Sequence, residues 1–276
     1  MSTVRINKFL AHATGMSRRQ ADEAVARRRV TVDGAVAEMG AHVEENARVT
    51  LDGALVGPRQ SYTYLLLHKP TNYVCSRRRQ GETPTIYELL PEKYRALKPV
   101  GRLDKDSSGL LFMTDDGDFA HRMTHPKFVK TKVYEVELKK PLEPLHQQMI
   151  SDIGITLADG VSQFMIEKID STDSQQPTAD RKSHDNERTT SFLDTSATSQ
   201  QRGAKEKQLA PSGVERKDSG SELSQYRITM HEGRNRQIRR TFGSLGYMVM
   251  NLHRTSFGNY SLGDIKSGEH KVINIS

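Results

Sequence analysis

One aspartate in the middle of the chain, Asp104, has the surroundings of a reactive carboxylate. It lies two residues after Arg102, a permanent cation, in a polar turn bounded by glycines. The turn leads directly into residues 110–113, an apolar run with the composition of a buried strand. A charged carboxylate on a loop beside a rigid strand is a common arrangement at a reactive site, and the neighbouring Arg favours its ionised form. The alternative is a surface turn with a solvated ion pair, which contributes little to stability.

The strand predicted at residues 132–138 carries a second candidate, Tyr134. The alternation of residue types places Lys132, Tyr134, Val136 and Leu138 on one face. By composition alone Tyr134 is a core aromatic residue. An aromatic ring on that face could also stack on a nucleic-acid base while its hydroxyl group remains solvated.

A third group of functional side chains lies near the C-terminus. Asn235 is predicted to cap a helix that has Ile238 on its apolar side. Arg236, Arg239 and Arg240 recur at helical spacing on an adjoining face, where forked guanidinium groups could bind phosphates or a carboxylate. The alternative is a solvated basic helix.

The N-terminal 56 residues are predicted to form a small unit of helices and hairpins. Residues 4–13 have helical periodicity, and Ser17 with Gln20 is typical of a capping box at the start of a second helix. Residues 5–29 contain seven Lys or Arg against two acidic residues. This basic pair of helices is either a surface that follows phosphates or a solvated face.

The composition of the whole chain restricts the function classes. The 276 residues carry a net charge of +7, which favours a polyanionic partner. No apolar run approaches the roughly 20 residues of a membrane-spanning helix, and the single cysteine, Cys75, allows no intrachain disulfide. We therefore expect a cytoplasmic protein that has no membrane partner and acts as a monomer.

Three motifs together resemble those of the RNA pseudouridine synthases. They are Gly-Arg-Leu-Asp at 101–104, Lys-Val-Tyr at 132–134, and Glu-Gly-Arg-Asn-Arg-Gln-Ile-Arg-Arg at 232–240. Residues 3–52 resemble a small RNA-binding domain first described in a ribosomal protein. The combination resembles the members of the family that modify ribosomal RNA.

The resemblance implies a role for each matching residue. Asp104 would be the catalytic carboxylate, either attacking the anomeric carbon or removing the neighbouring ribose proton. Tyr134 would pack on the target base, Ile238 would line its pocket, and Arg239 would pair with Asp104. The residues expected to bind substrate are Arg102, Lys132 and Arg236 in the catalytic domain, and Arg5, Lys8, Ser17, Arg18, Arg19 and Arg29 in the N-terminal domain.

The resemblance also implies a fold. We expect an α+β catalytic domain built on a largely antiparallel mixed sheet at 62–276, joined by a linker at 57–61 to the RNA-binding domain at 1–56. Residues 171–223 are so polar that we expect a disordered insertion within the catalytic domain.

The isomerisation of uridine to pseudouridine needs no net redox change and no energy input, so no nucleotide or metal cofactor is expected. The sequence contains no Walker-type motif, no dinucleotide-binding glycine pattern and no clustered His/Cys ligands. A non-catalytic RNA-binding or ribosome-assembly factor is the alternative. A glycosidase would normally need two working carboxylates, and Asp106 is the only neighbouring candidate for the second.

Overall fold

The computed structural model describes residues 3–44, 46–57, 61–169 and 223–275. The insertion predicted at 171–223 lies outside these ranges apart from Leu223, and so do residues 58–60 of the predicted linker. In the part of the chain that is described, no helix has the length and apolarity needed to cross a membrane.

The N-terminal segment folds into two helices and six short strands around its own apolar cluster, which includes Ile6, Leu10 and Val25. The elements are β1 (Thr3–Arg5), α1 (Ile6–Thr14), α2 (Arg18–Ala26), β2 (Val30–Val32), β3 (Ala35–Val36), β4 (His42–Glu44), β5 (Val49–Leu51) and β6 (Ala54–Val56). The first helix begins later than predicted because residues 3–5 pair with β4.

Two local signals in this segment are confirmed. Ser17 and Gln20 form a reciprocal capping box, in which each side chain accepts a hydrogen bond from the other residue's backbone N–H. The β2–β3 hairpin turns through Asp33 and Gly34, both with positive φ, which is the backbone of the turn that matches strand twist.

The rest of the described chain forms a nine-stranded sheet with helices, as the α+β prediction required. Its strands are β7 (Tyr64–Lys69), β8 (Lys98–Val100), β9 (Ser108–Thr114), β10 (Lys132–Leu138), β13 (Met165–Lys168), β14 (Ser224–Met230), β15 (Val249–Phe257), β16 (Tyr260–Ser261) and β17 (His270–Ile273). A separate hairpin consists of β11 (Ile155–Leu157) and β12 (Gly160–Ser162). The helices are α3 (Gly117–Thr124), α4 (Pro144–Gln148) and α5 (Gln237–Ser244), and shorter turns of 3₁₀ or π helix occupy Ile86–Leu89, Glu92–Tyr94, Pro126–Phe128 and Met149–Ile153.

The strand order β13-β14-β10-β15-β9-β7-β17 is antiparallel except between β15 and β9. The parallel pair brings the strand after the Asp104 turn beside the C-terminal strand β15, with Gly109 opposite Arg254. A Cβ atom on Gly109 would lie 2.2 Å from the Arg254 carbonyl oxygen, and its φ is +107°. Glycine is therefore required for the two strands to approach.

Local sequence patterns predict Asp118 as the cap of α3, Asn235 as the cap of α5 and one continuous strand over 162–169, and all three predictions are wrong. Asp116, and not Asp118, caps α3, because its carboxylate accepts hydrogen bonds from the backbone N–H groups of Asp118 and Phe119 at 2.9 Å. Asn235 does not cap α5, whose preceding residue is Arg236 in a left-handed conformation. The strand predicted over 162–169 is interrupted, since β12 ends at Ser162 and β13 begins at Met165.

Helix α1 contacts the start of α3. Lys8 Nζ lies 2.6 Å from an Asp118 carboxylate oxygen. The His12 ring packs edge-on against Tyr62, and a Cβ on Gly117 would lie 3.3 Å from His12 Nε2. Burial at this contact lowers the pKa of His12. The ion pair and the histidine hold the N-terminal helix next to the strand that follows the Asp104 turn.

Candidate active site

Asp104 lies in the loop between β8 and β9, and this loop is fixed from beneath by Lys69. The Lys69 side chain is fully buried at the end of β7. Its Nζ donates to the carbonyl oxygens of Pro70 at 2.9 Å, Asp104 at 3.0 Å and Ser107 at 2.7 Å. Burial lowers the pKa of Lys69 to about 8. The ammonium thus satisfies loop carbonyls that would otherwise be buried without donors.

The sequence does not by itself identify Lys69 as a support of the site, because a Lys-Pro pair after an apolar run indicates only the end of a strand. One sequence feature could have indicated its burial: Lys69 continues the strand that begins in the apolar run at 65–67, and no turn residue separates them. Lysine is almost never fully buried unless its amine has partners.

The Asp104 loop forms one wall of a cleft with a volume of about 560 Å³. Tyr134 from β10 and Ile238 from α5 line the same cleft, as do the predicted substrate-binding residues Arg102, Lys132 and Arg236. Tyr134 and Ile238 are almost fully buried, whereas 30% of the Asp104 side chain is exposed. An apolar floor with an accessible carboxylate at its edge can hold a planar base and leave the carboxylate free to react.

The guanidinium nearest to the Asp104 carboxylate differs from the predicted one. Arg236 Nη1 lies 3.9 Å from Asp104 Oδ2 and 3.1 Å from Asp106 Oδ2. Arg102 is exposed and forms no ion pair with a described residue, although it lines the cleft. The charge that faces Asp104 therefore comes from the start of α5 and not from its own turn.

The predicted ion pair between Arg239 and Asp104 is not formed. Arg239 Nη2 donates to the Asp106 carbonyl oxygen at 2.9 Å, and Nη1 donates to the Val249 carbonyl oxygen at 2.8 Å. Arg239 is half-buried. Burial is the main cause that lowers its pKa, and the positive charge of the nearby Arg236 lowers it as well. Arg239 therefore joins the Asp104 loop to β15 by hydrogen bonds to backbone carbonyls.

The third arginine of the predicted cluster is paired elsewhere. Arg240 forms a two-pronged ion pair with Asp159, with distances of 2.9 and 2.7 Å. Arg234 also contacts the Asp159 carboxylate, at 3.2 Å. These two arginines attach the β11–β12 hairpin to the start of α5. The three arginines of the predicted basic helix face therefore have different partners: Arg236 contacts carboxylates of the Asp104 loop, Arg239 binds backbone carbonyls, and Arg240 pairs with Asp159.

Lys132 lines the same cleft from the start of β10. It is half-buried, with Nζ 5.1 Å from the centre of the Phe257 ring and 3.3 Å from the His231 carbonyl oxygen. Burial and, to a smaller extent, the neighbouring Arg254 lower its pKa to about 8. The amine therefore changes charge in a range where enzyme activity is readily measured.

Arg254 is a buried cation of β15 that the sequence analysis did not single out. It pairs directly with Tyr134 across β15 and β10 and lines the cleft, yet it is 2% exposed. Its Nε donates to the Leu110 carbonyl oxygen at 2.8 Å. The signal was present in the sequence, because the alternation that points Leu252 inward also points Arg254 inward.

The predicted RNA-contacting residues of the N-terminal domain fall into two groups. Arg5, Arg18 and Arg19 are exposed and form no ion pair with a described residue. Arg29 forms a two-pronged ion pair with Asp52, at 2.7 and 2.5 Å, and Lys8 is used in the contact with α3. Only the first group keeps its full charge available to a partner.

The chain is similar to known proteins over nearly its whole length. The chain is 31% identical to a ribosomal small subunit pseudouridine synthase A of Pasteurella multocida, over 98% of this chain and 96% of the relative. It is 28% identical to a ribosomal large subunit pseudouridine synthase B of Bacillus subtilis, over 98% and 91%.

A crystal structure of a pseudouridylate synthase shares the fold, with a TM-score of 0.58 and 24% identity over 98% of this chain and 96% of that one. Residues 63–244, which include Asp104, Tyr134 and Ile238, match the family described as RNA pseudouridylate synthase. The protein is therefore a member of the RNA pseudouridylate synthase family.

Proposed function

We propose that this enzyme isomerises uridine to pseudouridine at specific positions in ribosomal RNA, with Asp104 as the catalytic carboxylate. The observation that carries the proposal is the meeting of Asp104, Tyr134 and Ile238 in one cleft of a chain that belongs to this family. These residues come from a loop, a strand and a helix that are far apart in the sequence.

The chemistry follows from the positions of the three side chains. The target base leaves its stack and enters the cleft, as it must for any enzyme that acts on a base within folded RNA. Tyr134 packs on the base and Ile238 covers it. The bond from C1′ to N1 then breaks, the base turns, and C5 bonds to C1′.

Asp104 acts on the ribose while its carboxylate is ionised. It either forms a bond to C1′ as N1 departs or removes the proton from C2′. Arg236 Nη1, 3.9 Å from Asp104 Oδ2, places a positive charge beside this carboxylate. Deuterium at C2′ of the target separates the two routes, because only removal of that proton in the slow step gives a primary isotope effect.

Ribosomal RNA is proposed as the substrate for two reasons. Relatives aligned over nearly the whole chain carry that substrate in their names. The exposed arginines of the N-terminal domain provide charge for a structured RNA partner. The proposal also includes a cytoplasmic location and a monomeric state. Light scattering of the purified chain tests the monomeric state.

The decisive experiment uses ribosomal RNA transcripts tritiated at C5 of uridine. Pseudouridine formation exchanges that tritium with water, so release measures turnover directly. We expect release by the wild-type chain and none by Asp104→Asn, with RNA affinity within about twofold because the two side chains have nearly the same size. Full turnover by Asp104→Asn would disprove the assigned role, and normal RNA binding without release by the wild type would indicate a non-catalytic RNA-binding factor.

A further inference from the structure

Arg254 carries a positive charge that no described residue compensates. Its guanidinium lies 4.9 Å from the centre of the Phe257 ring and 6.0 Å from that of Tyr134, and only Nε has a hydrogen-bond partner, the Leu110 carbonyl oxygen. The Nη2 atom is buried without a hydrogen-bond partner among the described residues. No carboxylate of the described residues lies within ion-pair distance of it.

An arrangement of this kind is unfavourable unless something else supplies the missing partner. Burying an unpaired charge is strongly destabilising, and a buried donor left without an acceptor adds to the penalty. Aromatic rings offset part of this through cation–π attraction, which contributes about 2 kcal/mol or more for a desolvated cation. The side chain lines the cleft beside Tyr134, so a molecule bound in the cleft is the available partner.

We propose that Arg254 is a substrate-binding residue whose guanidinium receives an anionic oxygen of the target nucleotide. This role depends on the proposed uridine isomerisation, because it is that reaction which brings a nucleotide into the cleft. Two oxygens have the required chemistry. One belongs to a backbone phosphate and is charged before the reaction. The other belongs to the uracil ring and gains charge during it.

The second source follows from the balance of the reaction. When the C1′–N1 bond breaks, its electron pair passes to the uracil ring and the charge spreads over N1 and the carbonyl oxygens. C5 then bonds to C1′, and the proton that C5 loses is balanced by the proton that N1 gains. A buried guanidinium stabilises this charge more than water would, since it is already oriented when the charge develops.

The test compares Arg254→Met, Arg254→Gln and Arg254→Lys with a control, Arg227→Met. Arg227 lies on β14 of the same sheet and pairs with Glu135, so it points to the face opposite Tyr134. Affinity for ribosomal RNA transcripts and single-turnover tritium release are measured for each variant whose circular dichroism matches the wild type.

We expect Arg254→Met to lose function in a way that identifies the oxygen. If a phosphate is bound, affinity falls. The slope of the logarithm of the binding constant against the logarithm of the salt concentration then decreases in magnitude by about 0.7. If the uracil oxygen is bound, affinity is unchanged and the single-turnover rate falls on the order of 100-fold. In both cases Arg254→Lys should recover part of the loss, because it restores the charge.

Two results would overturn the role of Arg254. One is a folded Arg254→Met or Arg254→Gln variant with affinity and rate both equal to those of Arg227→Met. The other is failure of all three Arg254 variants to fold, which would make the residue purely structural. Failure of the proposed function itself looks different, since the wild-type chain would then release no tritium.

Discussion

Arg239 holds the Asp104 loop by its main chain, since Nη2 donates to the carbonyl oxygen of Asp106 at 2.9 Å. Its other Nη donates to β15, so one guanidinium connects the loop to the central sheet. Arg236, three residues earlier, contacts the carboxylates of the same loop. The two arginines therefore have separable effects. Arg239 fixes the position of the loop, and Arg236 places a positive charge beside its carboxylates.

Substitution of each arginine by methionine should separate these effects. Arg239→Met removes two charge-assisted hydrogen bonds to backbone carbonyls, so we expect the free energy of unfolding to fall by about 2 kcal/mol and turnover to fall with it. Arg236→Met leaves stability nearly unchanged, because this side chain is exposed, but slows turnover, because it removes the positive charge beside the Asp104 carboxylate. Urea unfolding and tritium release measure the two quantities. Equal losses of stability in both variants would contradict the distinction.

Lys69→Met tests the support beneath Asp104. Removal of the amine leaves the loop carbonyls of Asp104 and Ser107 without their donor, and an unsatisfied buried group is unfavourable by about 1–3 kcal/mol. We expect stability to fall by about 3 kcal/mol and the single-turnover rate to fall because the carboxylate is no longer positioned. Lys98→Met, which removes an exposed amine from β8, is the control and should change neither quantity.

The charge of Lys132 predicts a pH dependence of RNA binding. Its pKa is lowered from 10.5 to about 8, so the amine is charged below that pH and neutral above it. Affinity for RNA should therefore weaken as the pH rises through about 8. Lys132→Arg should remove this dependence, because a guanidinium stays charged throughout. Lys69 titrates in the same range but is present in both proteins, so the difference between them belongs to Lys132. Identical pH profiles would exclude a contact between Lys132 and the RNA.

Gly109→Ala should disrupt the parallel contact between β9 and β15. The added methyl group would meet two backbone atoms of Arg254, at 2.2 and 2.5 Å, in a backbone conformation that alanine rarely adopts. We expect a loss of stability of about 3 kcal/mol. The matched control is Gly243→Ala within α5, where the structure leaves open space and alanine should stabilise the helix by about 0.5–1 kcal/mol. Thermal unfolding of both variants gives the comparison.

The N-terminal arginines should differ in their effect on RNA affinity. Arg18→Ala and Arg19→Ala remove exposed, unpaired charges and should weaken binding and reduce its salt dependence. Arg29→Ala should have a smaller effect on RNA binding, because Asp52 already neutralises this side chain. Filter binding over a range of salt concentrations measures each slope. A larger loss for Arg29→Ala than for the other two would show that its ion pair opens to admit RNA.

Several features of the protein follow from the sequence by local rules. The capping box of Ser17, the strand after the Asp104 turn and the inward face of β10 with Tyr134 depend on residues a few positions apart. Neighbours along the chain share a backbone geometry, so spacing alone predicts which side of an element a residue occupies. The candidate carboxylate and the aromatic residue beside it were predicted in this way together with the family resemblance.

Tertiary structure alone decided which partner each charged side chain binds. Lys69 reaches the Asp104 loop across 35 residues, Arg239 reaches Asp106 across 133, and Arg254 reaches Leu110 across 144. Which arginine of a helical stripe meets a carboxylate depends on where the helix begins and how strands pair, and no local pattern encodes either. Burial then turns Lys69 and Arg254 into structural or binding groups, because a charge removed from water must find its partner in the fold or in the substrate.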